Sequence, residues 1–240
     1  MRLRLNPMTP TDFAAEEKLI EARWRQSLQP QSGNVSFNPE QIYRLQEQER
    51  EVLTLMRKLG RTDVEHQKVL DVGCGRAGWL GWFIRWGAKP ENMVGIDLIP
   101  ERIEAARELL PAGVTLMEAN AAKLDFDDRS FDVIVLFLVL SLIADAELRR
   151  AVAHEALRVL KPDGLILWYD YRYKPQNLQV RAMRKDEIQS LFAGCEVNLW
   201  SATPIPPIRK LARYSWLAAH MIGAIPQLRT HYIGYVRKSE

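Results

Sequence analysis

The sequence predicts an α/β fold in which a seven-stranded, mostly parallel sheet carries helices on both faces. From residue 68 onward, short apolar runs rich in β-branched residues alternate with helical patterns, and parallel strands require such helical crossovers. A glycine turn, Gly73-Cys74-Gly75, directly follows the first of these runs. Ligands bind at this position in sheets of this kind, at the carboxyl ends of the strands.

The segment before the sheet, residues 1–66, is predicted to form a helical arm. Helical patterns cover residues 13–24 and 39–59, and turn-forming residues at 29–34 separate them. The second helix carries five apolar residues on one face, namely Ile42, Leu45, Val52, Met56 and Leu59. The arm either packs on the core or forms a lid over a ligand, with Tyr43 and Arg44 pointing inward.

Residues 67–240 are predicted to form the main domain. Strands are expected at 68–72, 93–97, 114–118, 132–138, 164–170, 195–200 and 232–236, and helices at 78–87, 101–110, 146–160 and 185–192. An insertion, residues 203–230, separates the last two strands and is expected to be helical. Pro204, Pro206 and Pro207 make its entry rigid.

Composition argues against several classes of partner and compartment. The 33 basic and 30 acidic residues give a formal net charge of +3 and are scattered along the chain, which disfavours nucleic acid binding. Two cysteines, Cys74 and Cys195, cannot support a disulfide framework, so a reducing compartment is expected. Neither a signal peptide nor a run of transmembrane length is visible, and we expect a soluble, cytoplasmic protein.

The glycine turn alone admits two cofactors. Gly73, Gly75 and Gly78 fit the G-x-G-x-x-G pattern, and Asp97 follows the next strand, as in nicotinamide-dependent dehydrogenases. Asp71, however, lies inside the strand that leads into the turn, where a dinucleotide site normally has apolar residues. A carboxylate at this position suits a ligand that carries an ammonium group.

Four ordered motifs resemble the class I S-adenosylmethionine-dependent methyltransferases, and among them the bacterial type 11 group. The resemblance covers residues 68–170. Its motifs are Val-Leu-Asp-Val-Gly-Cys-Gly at 69–75, Val-Gly-Ile-Asp at 94–97, Ala-Asn-Ala at 119–121 with Phe131-Asp132, and Arg-Val-Leu-Lys-Pro-Asp-Gly at 158–164. Four motifs in this order are a far more specific signal than the glycine pattern by itself.

The resemblance implies a Rossmann-like enzyme that uses S-adenosylmethionine and releases S-adenosylhomocysteine. It implies ten cofactor-binding residues: Asp71, Gly73, Cys74, Gly75, Asp97, Leu98, Arg102, Asn120, Ala121 and Phe137. In this scheme Asp71 and the loop backbone hold the amino acid part, Asp97 accepts hydrogen bonds from the ribose, and Asn120 reads the adenine. Two residues depart from the family pattern, because Ala77 replaces a glycine and Asn120 replaces an aspartate.

Methyl transfer from a sulfonium is an in-line displacement, in which the protein positions the acceptor about 3 Å from the methyl group and excludes water. We therefore place the catalytic candidates beyond the fourth and fifth strands and in the added segments. They are Asp170 after the fifth strand, His231 at the start of the seventh and Tyr43 in the arm. No metal site is expected, since the clustered carboxylates of metal-dependent catechol enzymes are missing.

The acceptor is expected to be a small or medium organic molecule. Motifs typical of enzymes that methylate nucleic acid bases or protein arginines are missing from the sequence. Methylation of oxygen is favoured, in natural-product or glycan tailoring. N- or C-methylation and a non-catalytic S-adenosylmethionine-binding protein remain the alternatives.

The 203–230 insertion leaves several roles open. Plain core packing is the simplest, and an apolar part of the acceptor site, a dimer surface or weak peripheral membrane contact are the others. The chain is accordingly expected to be a monomer or a homodimer.

Overall fold

The computed structural model describes residues 18–22, 38–174 and 180–239. Within them lies one seven-stranded sheet of order β3-β2-β1-β4-β5-β7-β6. Its strands are β1 (Val69–Val72), β2 (Met93–Asp97), β3 (Thr115–Glu118), β4 (Phe131–Phe137), β5 (Leu160–Tyr171), β6 (Cys195–Pro204) and β7 (Arg229–Lys238). The first five strands are parallel and β7 is antiparallel to both neighbours, which confirms the predicted mostly parallel sheet.

Helices cover both faces of the sheet, as predicted. They are α1 (Pro39–Lys58), α2 (Gly78–Arg85), α3 (Pro100–Leu109), α4 (Ala146–Val159), α5 (Lys185–Leu191), α6 (Pro206–Leu211) and α7 (Trp216–Gly223). One apolar core forms where α1, α2 and α3 pack on the sheet, and we call this side the α1 face. A second core forms under α4 and α5, on the side that we call the α4 face.

Helix α1 begins where the sequence chemistry favours a start. The side chain of Asn38 accepts a hydrogen bond from the backbone N–H of Glu40, and Pro39 occupies the first turn. The buried residues of α1 differ from the predicted stripe, because Tyr43, Glu47 and Gln48 face the protein while Leu45 is exposed. The predicted stripe is correct only for the second half of the helix, where Val52 and Met56 are buried.

Most of the first predicted helix, residues 13–24, and the loop at 29–34 lie outside the described residues, and residues 18–22 are helical.

The insertion folds into α6 and α7, and its predicted packing into the core is wrong for the large side chains. Ala219 and Gly223 are buried, whereas Leu217 and Met221 are exposed. Gly223 lies so close to Pro204 that an added Cβ would come within 2.7 Å of its Cγ. The small residues therefore let α7 approach the sheet. No helix in the described residues is long and apolar enough to span a membrane.

Glu47 is a carboxylate that α1 carries into the interior. Its Oε1 lies 3.8 Å from Arg229 Nη2, and its Oε2 has no hydrogen-bond partner among the described residues. Burial raises the pKa of Glu47 to about 7, because the ionised form loses its hydration. The packed face of α1 thus contains a carboxyl group whose ionisation near neutral pH lowers the stability of the folded protein.

We expect Gly234→Ala to destabilise the protein by about 3 kcal/mol, because a Cβ at this position in β7 would overlap the backbone carbonyl of Asn198 in β6. Urea unfolding at equilibrium measures the change. Gly81→Ala in α2 is the matched control, since its Cβ would meet Leu110 at an ordinary 3.5 Å. Equal stability of the two variants would contradict the tight packing of β6 against β7.

We expect Glu47→Gln to stabilise the protein increasingly as the pH rises from 5 to 8. The unfolded chain ionises Glu47 near its ordinary pKa of 4.5, whereas the folded chain retains the proton until about pH 7. Stability of the wild type therefore falls across this window, by up to about 3 kcal/mol, and the variant lacks this loss. Urea unfolding at both pH values measures the difference, and parallel profiles would contradict it.

Candidate functional site

The glycine turn after β1 has a backbone that most residues avoid. Gly73 and Gly75 have φ of 69° and 57°, in the left-handed region that favours glycine. A Cβ on Gly73 would also lie 2.9 Å from Val139 Cγ2. Ala77 adopts a φ of 55°, which explains why a glycine is usual at this position and shows that the methyl group is tolerated here.

Asp97, the last residue of β2, fastens the turn to the start of α3. One carboxylate oxygen accepts the N–H of Gly75 at 2.9 Å, and the other accepts the N–H of Ile99 at 3.0 Å. Arg102 Nη1 lies 3.4 Å from the first oxygen. The carboxylate therefore sits between the loop and the helix, with its remaining acceptor capacity at the carboxyl end of the sheet.

Asp71, in β1, is a second buried carboxylate near the turn. Its Oδ2 has no hydrogen-bond partner among the described residues. Burial raises the pKa of Asp71 well above its usual range, and the negative charge of Asp97 raises it further. A cationic or hydrogen-bond-donating ligand would satisfy this oxygen and favour its ionised form.

The end of β3 lies beside Asp97. The backbone N–H of Ala119 donates to the carbonyl of Asp97 at 3.0 Å, which places Asn120 and Ala121 at the same edge of the sheet. Asn120 Oδ1 accepts the N–H of Ala122 at 2.7 Å and is thereby held in the turn. Leu98 is half-buried next to Asp97.

Five rings form a continuous row from the glycine turn to β7, and we call it the aromatic row. Its members are Trp79, Phe137, Tyr169, His231 and Tyr171, with successive centroids 4.7, 5.5, 4.6 and 4.4 Å apart. They lie at one edge because the parallel β4 and β5 end where the antiparallel β7 begins. The row is a largely apolar wall that leads away from the turn.

His231 is the polar member of this row. Its Nδ1 lies 2.8 Å from Thr230 Oγ1, and its ring stacks on Tyr169 at an interplanar angle of 9°. Burial, with the nearby guanidinium groups of Arg209 and Arg44, lowers the pKa of His231 to about 3. The imidazole is therefore neutral at pH 7, and its Nε2 makes no hydrogen bond to any described residue.

Asp170 lies on the α4 face, on the other side of the sheet from His231. Its carboxylate accepts the backbone N–H of Ser141 at 3.0 Å and that of Tyr171 at 2.8 Å. Burial raises the pKa of Asp170 to about 6, although these hydrogen bonds oppose the shift. The structure thus places the catalytic candidates Asp170 and His231 on opposite faces of the sheet. Asp170 holds the turn after β4 in place.

Tyr43 joins α1 to the insertion. Its hydroxyl donates to the carbonyl of Ala219 at 3.2 Å, and its ring lies 5.4 Å from that of Trp216. Arg44 donates to Gln41 Oε1 at 3.0 Å and to Gln48 Oε1 at 3.3 Å. Helix α1 and the insertion therefore form one connected layer on the α1 face.

Sequence reasoning missed three residues of this region: Trp79, Thr203 and Arg209. Trp79 could have been found, because an aromatic residue directly follows the last glycine of the pattern. Thr203, whose Oγ1 lies 2.7 Å from the hydroxyl of Tyr169, gave no signal, since 34 residues separate the pair. The described ranges contain no group of His, Cys, Asp or Glu side chains suited to a metal ion.

Known proteins match this chain over the part that contains the candidate site. A family described as "Methyltransferase domain" matches residues 69–164. The 2-methyl-6-phytyl-1,4-hydroquinone methyltransferase of Synechocystis is 38% identical over 112 residues, which are 44% of this chain and 32% of that protein. The fatty-acid O-methyltransferase of Mycolicibacterium smegmatis is 31% identical over 113 residues, which are 47% of this chain and 40% of the relative.

Solved structures share the fold over most of the chain. The S-adenosylmethionine-dependent methyltransferase of Mesorhizobium loti has a TM-score of 0.56 at 16% identity, covering 85% of this chain and 100% of that one. A methyltransferase of Archaeoglobus fulgidus has a TM-score of 0.56 at 14% identity, with 82% and 98% covered. The chain spans less than half the length of the curated relatives that it matches. Residues 69–164 of this chain thus match a methyltransferase domain, and the chain shares the fold of solved S-adenosylmethionine-dependent methyltransferases.

Proposed function

We propose that this protein transfers a methyl group from S-adenosylmethionine to an oxygen atom of a small or medium organic acceptor. The observation that carries the proposal is the placement of Asp71 and Asp97 around a left-handed glycine turn, beside the aromatic row. S-Adenosylmethionine, when bound, supplies a methyl group on a sulfonium, and the protein has to orient the two reactants.

The carboxylates match the polar groups of this cofactor. Asp71 offers a buried oxygen without a partner, which suits the ammonium group of the methionine part, directly or through a water molecule. Asp97 offers only acceptors, which suits the two ribose hydroxyls. Gly73 and Gly75 let the backbone, with Cys74 between them, pass close to the ligand.

The adenine end would lie beyond Asp97. Leu98 and Arg102 flank this position, and Asn120 with Ala121 lies at the adjacent end of β3. The side-chain amide of Asn120 can donate and accept hydrogen bonds at the edge of the adenine base, whereas an ionised aspartate could only accept them. Phe137, at the end of β4, lies in the aromatic row between Trp79 and Tyr169.

The acceptor would bind along the aromatic row, with its hydroxyl near His231. The neutral imidazole could accept a hydrogen bond from the acceptor hydroxyl at Nε2 and would thereby hold the acceptor oxygen in place. A pKa of about 3 makes His231 a weak base, which favours a positioning role early in the reaction. An oxygen that gained a methyl group would become strongly acidic, so that even this weak base could accept its proton.

Helix α1 and the insertion would exclude water from this reaction. Tyr43 ties α7 to α1, and Trp200 and Trp86 donate from the sheet and α2 to Glu51 and Glu49 of α1. These contacts support a cover that stays closed over the aromatic row. The fatty-acid O-methyltransferase, similar over 113 residues, supports oxygen as the accepting atom.

We expect Asp97→Ala to weaken S-adenosylhomocysteine binding by about a hundredfold or more, because hydrogen bonds to a charged group contribute about 1.5–3 kcal/mol each. Isothermal titration calorimetry measures the affinity. Asp186→Ala on α5 is the control, since this carboxylate is exposed and pairs with Arg184 on the surface.

Asp97→Asn tests the same role in a variant that preserves the shape of the residue. It should bind more weakly than wild type but more tightly than the alanine variant, because one oxygen acceptor remains. Wild-type affinity in both Asp97 variants would contradict the proposed ribose contact, and a thermal shift with NAD but not with S-adenosylhomocysteine would contradict the cofactor.

We expect His231→Ala to leave S-adenosylhomocysteine affinity unchanged and to reduce methyl transfer by about a hundredfold. Transfer is followed with methyl-labelled S-adenosylmethionine and an extract of organic hydroxyl compounds. Asp170→Asn is the comparison, since it changes a buried residue on the opposite face and should preserve most of the activity in a folded protein. Equal activities of His231→Ala and wild type would contradict the positioning role.

A further inference from the structure

Helix α7 is packed with its small side chains inward and its large apolar side chains outward. Ala219 and Gly223 are buried four residues apart on one side. Leu217 and Met221, also four residues apart, are 72% and 67% exposed. Positions two residues apart lie on opposite sides of an α-helix, so the two pairs face in opposite directions.

The outward side of α7 continues into its flanks. Tyr214 before the helix is 86% exposed, and Ile222 and Ile225 are 40% and 44% exposed. We call Tyr214, Leu217, Met221, Ile222 and Ile225 the α7 patch. Because single exposed apolar residues are ordinary but a contiguous group is not, the patch indicates an interaction surface.

Along the chain, the charges of the segment that contains the α7 patch have one sign. Residues 197–239 contain no aspartate or glutamate. Two of their basic residues are used inside the protein, where Arg209 pairs with Glu40 and Arg229 pairs with Glu47 and Glu51. Lys210 and Arg213 are exposed, and the described residues supply no ion-pair partner for either.

We propose that the α7 patch docks on an anionic lipid bilayer, with its apolar side chains in the interface and Lys210 and Arg213 against the lipid head groups. Exposed cations beside large apolar residues are the composition of segments that lie in a membrane interface. A second copy of the chain fits less well, because a two-fold contact through this patch would bring the same basic residues together.

Docking at this surface has a consequence for the candidate site. The inward side of α7 contacts Tyr43 through Ala219, so the docked helix is part of the cover over the aromatic row. The docking itself goes beyond the proposed methyl transfer and does not depend on it.

Vesicle flotation of the full chain without cofactor tests the proposal. We expect binding to vesicles that contain phosphatidylglycerol, little binding to phosphatidylcholine alone, and release at high salt, which screens the charges. The double variant Leu217→Glu with Met221→Glu should reduce the bound fraction at least about tenfold, because it removes the apolar insertion. Lys210→Glu with Arg213→Glu should reduce it on the anionic vesicles.

Leu109→Glu is the matched control. Leu109 is an exposed leucine of α3, on another part of the surface, and its variant should bind vesicles as the wild type does. Circular dichroism and S-adenosylhomocysteine titration show that each variant is folded, which keeps the result separate from failure of the proposed enzymatic function.

Three outcomes would overturn the docking proposal. The first is equal binding to both kinds of vesicle, and the second is unchanged binding after the Leu217 and Met221 substitutions. The third is a dimer that light scattering detects without lipid and that the same double variant abolishes, since it would assign the patch to a second copy. Hydrogen exchange that slows across residues 214–225 only with anionic vesicles would support the proposal.

Discussion

The candidate site depends on the backbone hydrogen bonds that the carboxylate of Asp97 accepts. This carboxylate accepts N–H groups from the glycine turn after β1 and from the start of α3, so that one side chain fixes two segments that approach from different strands. A hydrogen bond from Cys74 to the carbonyl of Ile96 ties the same turn to β2. A left-handed loop is held in one conformation in this way, ready for a ligand without further ordering.

Topology brings the second half of the site to this loop. The antiparallel β7 starts at the edge where β4 and β5 end, and this places His231 against Tyr169 and Tyr171. The same alternation sends Asp170 to the other face, under the turn after β4. Asp170 and His231 are adjacent in register but have different roles. The carboxylate fixes a turn, and the imidazole is part of the aromatic row.

The added segments contact each other as well as the sheet. The buried side chains of Glu47 and Tyr43 on α1 make contacts toward the insertion. Arg209 of α6 pairs with Glu40 of α1. Burial raises the pKa of Glu47 to about 7, which gives this layer a stability that depends on pH. The outer side of α7 is apolar, and the exposed Lys210 and Arg213 precede this helix. One side of this short helix therefore packs on the protein, and the other faces its surroundings.

The sheet, its crossover helices and the glycine turn could be predicted from the sequence, because apolar periodicity and backbone requirements depend on neighbouring residues. The sequence patterns placed Asp71 inside the first strand, Asp97 at the end of the second and Asn120 just after the third, where the structure has them. Three features could not be predicted in this way: the faces that Asp170 and His231 occupy, the contact of Thr203 with Tyr169, and the side of α7 that is buried. These outcomes depend on contacts between distant residues, which no local pattern contains.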